Sequence, residues 1–151
     1  MEIKYLVSLR DNPTWGPYIN RGISMEGIMA LEQQYNSGQP FPKTLRELLY
    51  LAGDLCNIFD YGTNATQQKL QQEAREMLIE ENRTINRPFY AIEVRDGEIF
   101  MFVYLDESDD PMVHEAVTFL TDEHWNRNLE MTLSQFCDSS IEDVKRGENP
   151  F

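Results

Sequence analysis

The sequence predicts an α+β domain, a mainly antiparallel β-sheet flanked by helices, with residues 1–151 forming one domain. Three observations predict it. Residues 89–94 and 99–105 are β-branched and aromatic runs of strand length joined by Arg95-Asp96-Gly97-Glu98. Asp-Gly favours a hairpin turn, because both central residues of that turn take φ > 0. Helical periods precede and follow these runs without alternating with them, which points to α+β and away from a doubly wound sheet.

Taken in order, residues 3–9 read as a strand and Asp11-Asn12-Pro13 as the turn that closes it. Trp15, Pro17, Tyr18 and Ile19 form an irregular segment, with Trp15 as its anchor on the core. Ser24 is placed to cap a helix running to about Asn36, in which Ile28, Leu31 and Tyr35 share a face before Gly38 and Pro40 end it. Pro42 in a first turn, the stripe Leu45, Leu48, Leu49 and Ala52, and Gly53 as the C-terminal cap predict a second helix. Asn57-Ile58-Phe59 reads as a brief strand, closed by a turn at Tyr61-Gly62. Residues 63–86 are rich in Gln and Glu, with Leu70, Ala74, Met77 and Leu78 in helical period. They predict one long, mostly exposed helix, since straight-chain residues favour helix over a flexible linker.

Beyond the hairpin, Asp106-Glu107-Ser108-Asp109-Asp110-Pro111 reads as a loop, because Pro111 has no N–H to give to a ladder. Residues 112–120 supply a further strand. Thr132-Leu133-Ser134-Gln135 has the form of a capping box and opens a last helix carrying Leu133, Phe136, Cys137, Ile141 and Val144. Residues 145–151 read as a frayed tail.

A hydrophobic content of 41% with 11% aromatics excludes a wholly disordered chain. No apolar run approaches the roughly 20 residues of a membrane span. Met1-Glu2-Ile3-Lys4-Tyr5 lacks the basic start of a secretory signal. Cys56 and Cys137, far apart and in no Cys-x-x-Cys pair, read as two buried thiols of a reducing compartment, so a cytoplasmic protein is expected. Twenty-six acids against 13 bases leave a net charge of −13. That excess predicts repulsion from nucleic acid and anionic membranes, and attraction to a basic partner. It is uneven: residues 96–126 hold nine acids and no Lys or Arg. The same excess also serves as a solvating surface.

Motifs for chemistry are missing from the sequence. His114-Glu115 opens a zinc-helix pattern, but Thr118 stands where the second His belongs, and His124 has no matching Cys pair. There is no Gly-x-Ser-x-Gly elbow, Walker loop or Gly-x-Gly-x-x-Gly turn. The acid loop lacks the glycine and terminal Glu of an EF-hand. Asp54 and Asp60 flank an apolar stretch, and paired carboxylates do acid–base work where burial separates their pKa values. A small carboxylate hydrolase is therefore an alternative that a pocket with two close acids would revive. The expectation is no enzyme, no catalytic residue, no metal and no cofactor.

Residues 23–32, followed by Phe41-Pro42-x-x-Leu45-x-x-Leu48-Leu49-x-x-Ala52-Gly53, resemble the front half of the SMI1/KNR4 family, also called the SUKH superfamily. Asp109-Asp110-Pro111-Met112-Val113-His114 fills the place of that family's polar turn, and Leu133, Phe136 and Cys137 that of its closing helix. The chain departs from the pattern in Ala52-Gly53-Asp54 for Asn-Gly, in Leu45 for an aromatic, and in the length of 63–86. The resemblance implies a compact α+β interaction domain. Bacterial members are immunity proteins that neutralise toxins, often nucleases, and eukaryotic relatives are regulatory interaction modules. Both functions stay open at this point. A basic protein partner, a toxin domain, is expected to meet Asp106, Glu107, Asp109, Asp110, Glu115, Asp122, Glu123 and Trp125. Tyr104 and Phe119 are further candidate anchors, since buried aromatics usually hold more affinity than rim charges.

Overall fold

A computed structural model describes residues 1–148. Its elements run α1 (Val7–Asp11), β1 (Thr14–Trp15), β2 (Tyr18–Ile19), α2 (Met25–Tyr35), α3 (Lys43–Ala52), α4 (Gln67–Glu80), β3 (Phe89–Arg95), β4 (Ile99–Tyr104), β5 (Met112–Ala116), β6 (Asn126–Thr132) and α5 (Leu133–Lys145). Asp96 and Gly97 take φ of 55° and 67°, and the Glu98 N–H donates to the Arg95 carbonyl. The turn thus folds β3 back on β4 as expected, and β5 and β6 extend the meander into an antiparallel sheet of order β3-β4-β5-β6. A separate two-stranded ribbon pairs β1 with β2, and Trp15, half-buried, stacks on Tyr18 at 5.7 Å.

The pleat sends alternate residues to opposite faces, and here both faces are apolar. Tyr90, Ile92, Met101, Val103, Leu105 and Val113 pack with α2, α3, α5 and Leu9 of α1. Phe89, Ala91, Phe100, Phe102 and Tyr104 pack with Leu70, Ala74, Met77 and Leu78 of α4. Each large side chain so buried stabilises by roughly 1.5–3 kcal/mol. The single α+β domain therefore has helices on both sides of its antiparallel sheet.

This corrects the expectation of a mostly exposed helix over 63–86. The helix is confined to α4, capped by the Thr66 hydroxyl, and its stripe is buried. Its glutamines have structural work. The Gln71 amide donates to the Ala91 carbonyl at 2.7 Å and accepts from the Ala91 N–H at 2.8 Å. Arg75, one turn on, donates to the Phe89 carbonyl at 3.1 Å, and Gln67, one turn back, accepts from the Tyr90 hydroxyl at 2.8 Å. Positions 67, 71 and 75 share one helix face. The side chains of Gln71 and Arg75 occupy the outer margin of β3, where a bare edge strand would recruit another chain.

Residues 3–9 are no strand. Glu47, fully buried on α3, accepts the N–H groups of Lys4, Tyr5 and Leu6 at 2.5, 3.0 and 3.4 Å. Donors that a strand would offer to a neighbour go to one carboxylate, and the chain turns into α1. Residues 57–59 form no strand either: the Asn57 N–H donates to Asn20 Oδ1 at 2.6 Å, while Ile58 and Phe59 are buried. The expected strand 112–120 stops at Ala116, and 117–125 loops back into the unforeseen β6. Gly53 closes α3 through its N–H to the Leu49 carbonyl, at an ordinary φ of −71°. What it requires is smallness, since a Cβ there would lie 2.5 Å from the Leu49 oxygen. Ser24 and the Thr132–Gln135 box cap α2 and α5 as expected. Of the expected frayed tail, Lys145 ends α5 and residues 149–151 lie outside the described residues. Among the described residues no helix is long and apolar enough to cross a membrane.

Candidate interaction surface

The acid loop splits into two halves. Its second half turns inwards. The Asp110 carboxylate accepts from the Ser134 N–H at 2.9 Å, the Ser134 hydroxyl at 2.5 Å and the Thr44 hydroxyl at 3.1 Å. The Asp109 carbonyl takes the Thr44 N–H and hydroxyl at 2.9 and 2.8 Å. This ties the loop to the first turns of α3 and α5, where helix dipoles favour negative charge. The Asp110 carboxylate, half-buried, is therefore already engaged by α3 and α5, whereas the Asp109 residue is exposed.

The first half faces outwards but is matched. Arg87 forks onto Asp106 with contacts of 2.6 to 3.2 Å and reaches Glu107 at 3.7 Å. The hydrogen bond from Arg87 holds the Asp106 carboxyl below its usual range. With both partners nearly half exposed, such a pair contributes no more than about 1 kcal/mol. The Arg87 guanidinium lies 3.8 Å from the Tyr104 ring centre. Tyr104 meets the His114 ring at 4.7 Å, and His114 stacks on Phe102 at 5.3 Å. Burial pushes the His114 pKa down, the Glu107 charge opposes that, and the Arg87 charge adds to it. The imidazole is thus neutral near pH 7, and its buried Nε2 has no partner among the described residues.

Asn126 donates to the Tyr104 hydroxyl at 3.4 Å and carries the surface to its neighbour Trp125. From there the loop 117–125 is fixed at several points. The Val117 N–H donates to the Trp125 carbonyl at 2.6 Å, and Arg83 donates to the Thr118 carbonyl at 3.3 Å and to the Leu120 carbonyl. The Arg83 guanidinium also sits 5.2 Å from the Trp125 ring. Asp122 accepts the His124 N–H at 2.9 Å and so caps a single 3₁₀ turn. The loop buries Thr118 and displays Phe119 and Leu120, 49% and 36% exposed, beside the exposed Asp122 and Glu123.

Of the expected contact residues, then, Asp106, Glu107, Asp122, Glu123 and Trp125 are joined through Arg87, Tyr104, Asn126 and Arg83. Glu115 is apart from them. It follows His114 on β5, so it points to the opposite face, where Arg127 donates to it at 2.8 Å. Sequence reasoning missed Leu120 and the three arginines, because Arg83, Arg87 and Arg127 lie outside the lysine-free stretch and return to it only in space. Asp54 and Asp60, on which the carboxylate-hydrolase alternative rested, line one separate cleft with apolar walls, but Asp54 is already paired with Arg21 there. Among the described residues no group of three or more His, Cys, Asp or Glu is placed to hold a metal ion.

No family model, no curated protein and no solved structure matches the chain.

Proposed function

We propose that the chain is a non-enzymatic binding protein of the bacterial immunity type, which neutralises a basic toxin domain by covering its cationic surface. The observation that carries this reading is the loop 117–125: two apolar side chains, Phe119 and Leu120, held out on a backbone that Arg83 fixes and bordered by Asp122 and Glu123. A pre-set aromatic and aliphatic pair with carboxylates at its rim is the arrangement expected of an interface anchor. The acids and the net charge of −13 speed encounter with a cationic surface, and a nuclease needs such a surface to hold its polyanion. The resemblance to the SMI1/KNR4 family points the same way.

The experiment is co-expression with the product of the adjacent gene. Protection from its toxicity should be lost in Phe119→Ala, and Asp122→Lys with Glu123→Lys should slow association at low salt. Protection that survives both changes removes this loop from the interface. Capture of a non-toxic partner that depends on the same residues would replace the toxin reading with the regulatory-module one.

A further inference from the structure

Asp54 and Asp60 bracket the run 55–59, and both line one cleft of about 200 Å³ walled by Tyr18, Leu55, Phe59 and Tyr61. The cleft is built on fixed backbone. The Val94 N–H donates to the Asp60 carbonyl at 2.9 Å, and the Asp60 N–H donates to the Glu93 carboxylate at 3.0 Å. The Tyr61 hydroxyl is held on the Ala52 carbonyl at 2.8 Å. Glu93 is already matched by Arg95 at 2.7 Å, and Asp54 by Arg21. Asp60 has no cationic partner among the described residues, and its Oδ1 accepts only the Gly62 N–H, at 2.7 Å. Tyr18 and Leu55, 53% and 48% exposed, stand at the opening.

We propose that this cleft is a receptor for one cationic side chain, an arginine or lysine presented by a basic polypeptide. The charged groups lining it are both carboxylates, and of the two Asp54 is already paired with Arg21 while Asp60 is not paired with a cation among the described residues. The apolar walls suit the methylene stem of such a side chain, with its charged head towards Asp60. The volume falls below the roughly 300–1,000 Å³ of sites for whole small molecules, so one side chain fills it. The cleft shares no residue with the surface around Phe119, and either assignment stands if the other fails.

The test titrates the isotope-labelled full chain at low ionic strength with blocked Gly-Arg-Gly and Gly-Lys-Gly peptides, using Gly-Leu-Gly and Gly-Glu-Gly as controls. Saturable amide shifts should appear at Tyr18 and Gly62 with the basic peptides alone. Asp60→Asn should weaken them about tenfold through loss of a charge-assisted bond, and Tyr18→Ser several-fold. The proposal is overturned by silence at these amides, by equal response to the leucine peptide, or by unchanged binding in Asp60→Asn. Should Asp60→Asn not fold, Tyr18→Ser decides alone: its side chain is exposed, and unchanged affinity there overturns the proposal.

Discussion

Gln71→Met keeps the length of a fully buried side chain and removes both of its contacts with Ala91. The Ala91 N–H and carbonyl, which now bond Gln71 at 2.8 and 2.7 Å, would be left without partners beneath α4. A buried polar group stripped of its partner costs about 1–3 kcal/mol, so two should cost about 2–6 kcal/mol. That is a large part of the 5–15 kcal/mol by which domains are usually stable. Urea unfolding should show a lower midpoint at unchanged slope, with faster hydrogen exchange at the Ala91 amide. Gln71→Glu separates chemistry from shape. A carboxylate still accepts from the N–H but faces the Ala91 carbonyl with like charge, so this variant should regain stability in acid, where the carboxyl can donate. A loss below about 0.5 kcal/mol in Gln71→Met, with Ala91 exchange unaltered, would refute the view that α4 seals the β3 margin.

Asp110→Ala should cost about 1–3 kcal/mol in thermal or urea unfolding, since three donors lose their acceptor, whereas Asp109→Ala should be close to neutral. Equal effects would mean that the two halves of the loop do not differ as described. The His114 imidazole should titrate below its ordinary 6.5 in a histidine NMR titration. A base with a depressed folded pKa adds stability above its unfolded value that is lost as pH falls through the folded one. His114→Phe should therefore flatten the stability profile below pH 6.5, and a titration at or above 6.5 removes the basis for this. Burial pushes the Cys56 thiol up to about 12 and the Cys137 thiol well above its ordinary value. The fully buried Cys137 should not react with a disulfide reagent at pH 8 until the chain unfolds and the half-buried Cys56 should react only slowly, so rapid labelling of both thiols in the native protein would contradict this.

What could be read from the sequence was what short-range chemistry decides. The Asp96-Gly97 turn, the Ser24 and Thr132 caps and the stripe from Leu45 to Ala52 each depend on neighbours within a few residues. What escaped depends on partners far along the chain. The polarity of Gln71 and Arg75 suggests water until β3 is seen to need donors and acceptors at its margin. Residues 126–132, Asn-Arg-Asn-Leu-Glu-Met-Thr, lack clean alternation because β6 is a polar outer strand. Its register slips opposite Met112 and His114, and Glu130 takes a φ of 61°. Asp106 and Asp110 look alike in sequence, and only the positions of Arg87 and Ser134 set their different fates. The site was half legible for the same reason: acids and aromatics could be listed, but not sorted by face.

The three arginines that return to the lysine-free stretch separate reach from discrimination. At low ionic strength a visitor several nanometres away meets mainly the molecule's overall monopole, to which every carboxylate contributes. On touching the loops it meets a mosaic in which Arg83 and Arg87 interleave with the acids, while Arg127 matches Glu115 on the opposite face. If the chain binds as proposed, recruitment and choice of target would reside in different atoms, and the second could be altered, one loop residue at a time, without dimming the first.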